Sequence, residues 1–362
     1  MIDKNLIESA ARLRKQNEPY IVATAVRSRR PGSRLLLTHY RWLAGAVSGG
    51  SLHGELSASA WMHTDAGGPV LMTYDAAHPD IAGDEDLVAA FGLGDGGTVD
   101  VILERAGAPG HVDVLELAAR CAETQRRAAV ATVIASYGCS ARIGTRVALL
   151  ATGELEQDAP LETERRDALT AELRAVLETG TTRIARIGTL EVLLEAIVPA
   201  PRLFVVGESY DLVPLVQLAK HSGWEVIVCA DTEGRTTRER FVMADQVLVT
   251  TLDEVATRIF QSERAAVVIA EQDFEMDRLA LEAFRGTPVR YLGVASARVA
   301  RLAPDDPRIR ELLGDTPVDR AFFALASARG AVLPPTPVNR TEPADRPLPS
   351  RPSAVLAAVA AL

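Results

Sequence analysis

The sequence predicts an α/β protein in two parts: an N-terminal α/β domain with an internal repeat, followed by a Rossmann-like parallel-sheet domain. Three observations predict it. The chain has 362 residues, above the ~250 to 300 at which one hydrophobic core usually stops growing. Its N-terminal part contains two related segments. From Arg202 onward, short β-rich runs alternate with helical segments, the pattern of a parallel sheet with crossover helices.

The repeat supplies the first elements. Ala23-Thr24-Ala25-Val26 through Pro31-Gly32-Ser33-Arg34-Leu35-Leu36-Leu37 recurs as Ala131-Thr132-Val133-Ile134 through Ile143-Gly144-Thr145-Arg146-Val147-Ala148-Leu149. The closing segments match as well: Gly97-Thr98-Val99-Asp100-Val101-Ile102-Leu103-Glu104 returns as Gly188-Thr189-Leu190-Glu191-Val192-Leu193-Leu194-Glu195. Each copy, over about residues 18–104 and 128–195, reads as a strand, strand, helix, strand unit. Such a unit cannot bury its apolar face alone, so the copies are expected to pair into one sheet covered by helices.

The copies differ in two glycine-rich stretches that belong to the first alone. One is Ser48-Gly49-Gly50-Ser51, followed by Leu52-His53-Gly54-Glu55, and the other is Phe91-Gly92-Leu93-Gly94-Asp95-Gly96-Gly97. Small, conformationally free residues let a backbone approach a ligand closely. Ser48, Gly49, Gly50, Gly92, Gly94 and Gly96 are therefore candidate binding residues, and Ser51, His53, Glu55 and Asp95 are the candidate catalytic set. If the chain is helical from Leu52, Ser51 and Glu55 share a face while His53 points elsewhere, which argues against a serine nucleophile activated by His53. Structural readings stand beside these: Ser51 as a helix N-cap, Asp95 as a turn aspartate, and tighter turns in the first copy.

In the second part, Leu203–Val206, Glu225–Val228, Gln246–Val249, Ala266–Ile269 and Arg290–Leu292 read as buried strands. Helices are expected from Asp211 to Ser222, Asp253 to Gln261 and Phe274 to Phe284. Pro199 and Pro201 mark the boundary, giving domains of residues 1–199 and 200–362. The Pro-rich run 334–352 reads as an extended connector that docks a terminal helix. A dinucleotide site needs GxGxxG after the first strand; here the turn is Gly207-Glu208-Ser209. NAD(P) binding through Gly207, Ser209 and Asp231 is thereby weakened but left open. Asp231 ends the second strand, as a ribose-binding acid or as a cap.

Composition narrows the function classes. A formal charge of −9 with scattered arginines lacks the basic patch of a nucleic-acid binder. Cys121, Cys139 and Cys229 form no CxxC pair, which fits a reducing cytoplasm without a disulfide framework or structural zinc. The histidines show no HxH or HExxH spacing, so no metal site is expected. The N-terminus has no signal-peptide core, and nothing approaches the ~20 apolar residues of a membrane span. Arg27, Arg29 and Arg30 beside Pro31-Gly32 read as a solvated loop or a phosphate contact.

With these residues in view, the chain resembles the XdhC/CoxI family, accessory proteins that mature molybdenum hydroxylases such as xanthine dehydrogenase. The resemblance runs over nearly the whole length. It is carried by Pro31-Gly32-Ser33-Arg34, Leu43-Ala44-Gly45-Ala46-Val47-Ser48-Gly49-Gly50, Gly92-Leu93-Gly94 through Glu104, Leu203 to Gly207, Asp273-Phe274-Glu275-Met276-Asp277, Tyr291-Leu292-Gly293 and Ser353-Ala354-Val355-Leu356-Ala357. It implies a cytoplasmic homodimer that binds molybdenum cofactor and inserts it into an apo molybdenum hydroxylase. The pterin phosphate and the metal's oxo or sulfido group would suit backbone N–H groups in glycine-rich loops. The departures lie at the site. Ser51 and Asp95 stand where the family usually carries cysteine, which rules out thiol chemistry there. His53 replaces an acid, Gly207-Glu208-Ser209 replaces GxG, Glu271-Gln272 replaces Thr-His, and Ser296-Ala297-Arg298 replaces Gly-Ser-Arg. Two alternatives follow from those departures: a diverged enzyme, such as an NAD(P)-dependent oxidoreductase of a specialised biosynthetic pathway, and a non-catalytic scaffold.

Overall fold

The computed structural model describes residues 2–39, 41–47, 50–75, 98–106, 111–137, 141–160, 162–230, 238–271, 273–284, 286–294 and 321–323. Two compact units divide the chain, Met1–Pro199 and Ala200–Leu362. The Pro-rich run 334–352 and the expected terminal helix lie outside the described residues.

The first unit opens with α1 (Lys4–Gln16), started by the Asp3 carboxylate accepting from the Asn5 N–H and ended by Asn17 at φ 55°. Leu6, Ala10 and Leu13 are buried along one face of it. Next come β1 (Ile21–Arg27), β2 (Arg34–Leu37), β3 (Trp42–Gly45), α2 (Gly50–His63), β4 (Val70–Asp75) and β5 (Thr98–Arg105). The same series then repeats as α3 (Val114–Thr124), β6 (Ala128–Ser136), β7 (Arg146–Leu150), β8 (Leu155–Gln157), α4 (Thr163–Thr179), β9 (Arg183–Ile187) and β10 (Leu190–Ile197). Helix α3 mirrors α1, with Asp113 capping its start and Gln125 ending it at φ 55°.

Each copy is thus a helix, three strands, a helix and two strands, larger than the matching segments. The added parts escape sequence comparison because a capped amphipathic helix and a short edge strand constrain residue class, not identity. Each copy also forms its own five-stranded sheet, in order β3-β2-β1-β5-β4 and β8-β7-β6-β10-β9. The expectation of one shared sheet is therefore corrected. All neighbouring strands in both sheets are antiparallel. The central strands are apolar on both faces, so the copies meet face to face and not edge to edge. One face of the first sheet packs Ile21, Ala23, Leu35 and Leu103 against Leu52, Leu56 and Ala60 of α2. Its counterpart packs Ala129, Ala131 and Leu149 against Leu169, Leu173 and Val176 of α4. Between the sheets, Val26 and Ile102 meet their repeat equivalents Ile134 and Leu193.

Beside that apolar centre lie two reciprocal ion pairs. Arg34 of the first copy donates to Glu195 of the second at 2.8 Å, and Arg146 of the second donates to Glu104 of the first at 2.6 Å. The arginines are repeat equivalents, and so are the glutamates. This is the arrangement of a two-fold interface, in which each partner supplies the same groups. Gly32 and Gly144 repeat as well, both at φ +84°, a conformation that glycine adopts without a Cβ penalty.

The second unit contains β11 (Arg202–Val206), a 3₁₀ turn (Tyr210–Leu212), α5 (Val213–His221), β12 (Glu225–Ala230), β13 (Gln246–Val249), α6 (Leu252–Phe260), β14 (Ala265–Ile269), α7 (Phe274–Ala283), β15 (Tyr291–Val294) and β16 (Ala321–Phe323). The strands are parallel, in order β13-β12-β11-β14-β15-β16. Leu203 and Val205 pack against Leu215, Val216 and Ala219 of α5. Phe204 and Val206 pack on the other face, against Val255 and Ile259 of α6 and Ala280 and Leu281 of α7. Helices on both faces of an all-parallel sheet make a doubly wound, Rossmann-like fold.

Candidate functional site

Strand register in the first sheet brings the flanks of both glycine-rich stretches to one end. Gly45, the last residue of β3, lies opposite Leu35 near the start of β2. Arg34 opposes Thr24, from which β1 runs on to Arg27, and Arg27 opposes Asp100 in β5. Thr98, which begins β5, opposes Asp75, which ends β4. Ser48 and Gly49 lie outside the described residues, as do Gly92, Gly94, Asp95 and Gly96. Gly45, shortly before Ser48, and Thr98, directly after Gly97, both lie at this end of the sheet.

Helix α2 sorts the rest of the polar set. Gly50 is its first residue and Ser51 its second, so Ser51 sits inside the first turn and is not the N-cap. The spacing of 3.6 residues per turn then separates His53 from Glu55. His53 is 5% exposed, and its Nε2 accepts the Val47 N–H at 3.3 Å. That imidazole thus ties the chain entering α2 to the helix itself. Glu55 is exposed, and its charge reaches Tyr74, whose phenol is pushed up to about 12, chiefly by burial and then by Glu55.

Two features here were not read from the sequence. Trp42 is 49% exposed, and its ring lies 4.9 Å from that of His53. Its indole N–H donates to the Gly45 carbonyl at 2.9 Å. Arg27 joins Asp100 of its own copy to Glu191 of the other. Its hydrogen bond to Glu191, and then that to Asp100, raise its pKa above the ordinary value against the effect of burial. The arginine noted in sequence as a phosphate contact or a solvated loop residue is instead committed to two carboxylates. No periodicity signals such a role; only the repeat does, because Asp100 and Glu191 are equivalent positions.

In the second unit, Gly207 closes the β11 turn at φ +126°, with its N–H donating to the Cys229 carbonyl at 2.9 Å. A Cβ there would stand 2.5 Å from the Ala270 carbonyl oxygen, so the position demands glycine. The Ser209 carbonyl accepts the Leu212 N–H, forming the 3₁₀ turn that precedes α5. The Glu208 carbonyl is held by Arg240 at 2.7 Å, and the Arg240 guanidinium lies 5.6 Å from the Tyr210 ring centroid. Across the turn, buried Asp277 accepts the Glu271 N–H at 3.2 Å. Asp231 lies outside the described residues.

This turn does not fit a dinucleotide pyrophosphate. Such a group needs a second glycine and helix N–H groups directly after the strand. Here Ser209 fills the glycine position, the 3₁₀ turn separates Gly207 from α5, and Glu208 adds negative charge. Among the described residues, no group of three or more His, Cys, Asp or Glu side chains is placed to hold a metal ion, and no helix is long and apolar enough to cross a membrane.

Two family models match the chain. The model of the XdhC and CoxI family covers residues 13–75, and that of the XdhC Rossmann domain covers residues 203–305. Each unit thus resembles proteins of the XdhC and CoxI family. The XdhC and CoxI match takes in β1 to β4 and α2, the XdhC Rossmann match opens on β11, and the second copy falls between them. A Bacillus subtilis (strain 168) protein, named as a probable subunit of xanthine dehydrogenase, is 26% identical over 106 residues, which are 29% of this chain. Those residues span 32% of that relative's length. A crystal structure described as a xanthine dehydrogenase from Bacillus halodurans superposes with a TM-score of 0.66 at 18% identity, covering 99% of this chain and 95% of that one. The chain therefore shares that fold over both units.

Proposed function

We propose that this chain is an accessory protein that holds molybdenum cofactor as cargo and delivers it to an apo molybdenum hydroxylase of the xanthine dehydrogenase type. The observation that carries the reading is that, in a chain matched by the XdhC and CoxI family model, the strand residues next to the two glycine-rich stretches, Gly45 and Thr98, lie at one end of the first sheet. Such stretches offer backbone N–H groups to phosphate and oxo groups. Gly50 and Ser51 at the start of α2 would face an anion favoured by the helix dipole. Ser51 and Asp95, in place of thiols, would hold the cargo by hydrogen bonds and not by a soft metal bond. The relative named for xanthine dehydrogenase supports the choice of recipient. A homodimer in the cytoplasm is part of the same proposal.

The alternative, an NAD(P)-dependent oxidoreductase, has the sheet order in its favour and the Gly207-Glu208-Ser209 turn against it. The test is purification of the full chain after co-expression with molybdenum cofactor biosynthesis. Bound pterin is then measured as its fluorescent oxidation product, molybdenum by mass spectrometry, and transfer by recovery of an apo-hydroxylase's activity. Pterin and molybdenum in near-equal amounts with recovered activity are expected. A protein free of both, with no recovery, would overturn the proposal.

A further inference from the structure

We propose that Trp42 is a stacking platform for the planar ring of the cargo, a pterin, beside the turn from β3 into α2. The inference rests on the reading of the chain as a molybdenum cofactor carrier and names a residue that binds the cargo's organic part.

Trp42 begins β3, an edge strand of the first sheet. Its N–H is committed to Gly45 at 2.9 Å, which turns the indole along the strand toward the chain that enters α2. Buried His53 supports it from within, the two rings tilted by 53°. His53 is itself tied to Val47 by its Nε2. The ring is therefore held at both its edge and one side, yet 49% of the residue is exposed. A tryptophan in such a position ordinarily uses its N–H as a polar handle for a partner. Here that donor is consumed internally, so what is left for a ligand is the π-face.

A contrast lies on α2. Trp61 is stacked by His39 at 3.5 Å and 15°, with the Arg105 guanidinium 5.2 Å from its ring centroid. Its ring is already occupied by the protein, whereas the outer side of Trp42 is open. A fixed face suits a flat heterocycle, because little side-chain entropy is lost when the two stack. It lies next to the first turn of α2, which faces the anionic end of the same cargo in the proposed function.

The probe is neopterin, titrated calorimetrically into the full-length protein. Trp42→Ala should weaken binding about 5- to 150-fold, the range for losing one aromatic stacking partner. Trp42→Phe should stay within about threefold of wild type, because a phenyl ring keeps the face and dispenses only with the N–H. Unchanged affinity in Trp42→Ala would overturn the proposal. If that variant fails to fold, a chain carrying Trp61→Phe and Trp224→Phe decides, since Trp42 is then the sole tryptophan. Its emission should be quenched as neopterin saturates, and unaltered emission at saturation would overturn the platform. The two proposals separate cleanly. Recovery of the apo-hydroxylase without neopterin binding sinks the platform alone, and Trp42-dependent neopterin binding without cargo transfer sinks the carrier alone.

Discussion

Replacing Glu195 by leucine tests the reciprocal interface between the repeat copies. The Arg34 and Glu195 side chains are only 2% and 4% exposed and bond at 2.8 Å. A second arginine nitrogen donates to the Gly32 carbonyl at 2.8 Å. Glu195→Leu removes the charge and keeps the approximate volume, leaving a buried guanidinium with a carbonyl as its remaining partner among these two. Breaking a buried pair from one side costs about 3 to 5 kcal/mol. That is a large share of the ~5 to 15 kcal/mol that stabilises a typical domain. Replacing both partners, as Arg34→Met with Glu195→Leu, should return stability to within about 1 to 2 kcal/mol of wild type, because the buried charge is gone. The repeat supplies an internal control. Glu104 is 16% exposed against 5% for Arg146, so water reaches that pair and Glu104→Leu should cost less. Burial works against the charge of Arg146, yet Glu104, Asp158 and Glu195 together raise its pKa. The assay is urea unfolding followed by tryptophan emission in a Trp224→Phe background, which confines the signal to Trp42 and Trp61 in the first unit. A cost below about 1 kcal/mol for Glu195→Leu, or a double variant no better than the single, would refute the claim that the pair is a closed, charge-compensated contact.

Three further outcomes follow from the same structure. Gly207→Ala should destabilise the second unit by about 2 kcal/mol or more, since φ +126° and the Ala270 carbonyl 2.5 Å away both oppose a Cβ; a melting curve matching wild type would refute this. Burial pushes the Cys229 thiol up to about 12 and Cys121 is buried too, so iodoacetamide at pH 8 should modify neither until the protein unfolds; peptide mass spectrometry at increasing urea reads this directly. Hydrogen bonds from Arg120 hold the Glu156 carboxyl below its usual pKa. Its contribution is therefore present above the unfolded carboxylate's pKa and is lost as pH falls through the lower, folded value. Glu156→Gln should cost under about 1 kcal/mol at pH 7, because the pair is partly exposed, and should remove part of the loss of stability in acid. Denaturation midpoints that shift equally at every pH would contradict it.

The parts of this protein legible in sequence are those where residue type alone carries the information. Strand and helix alternation after Arg202 places the helices of the second unit to within a residue or two at most ends, because strands buried on both faces must be continuously apolar. The glycine-rich stretches are visible in sequence because clustered glycines stand out by residue type alone. Helix α1, the edge strands β3, β4, β8 and β9, and the role of Trp42 are less legible. An edge strand pairs on one side only, and its short run of mixed residues resembles a loop.

From its residues alone the chain reads as carrying a repeat in its first unit, with the glycine-rich stretches in one copy. Both facts follow from matching residues along the chain. That the copies form two sheets packed face to face is settled by the fold. It alone paired Arg34 with Glu195 and Arg146 with Glu104, turned His53 into the core, and brought Gly45 and Thr98, beside the two stretches, to one end of a sheet. The physical reason is that a repeat specifies what each copy buries, while the partner of a buried charge or of an apolar face is chosen by geometry across residues distant in the chain.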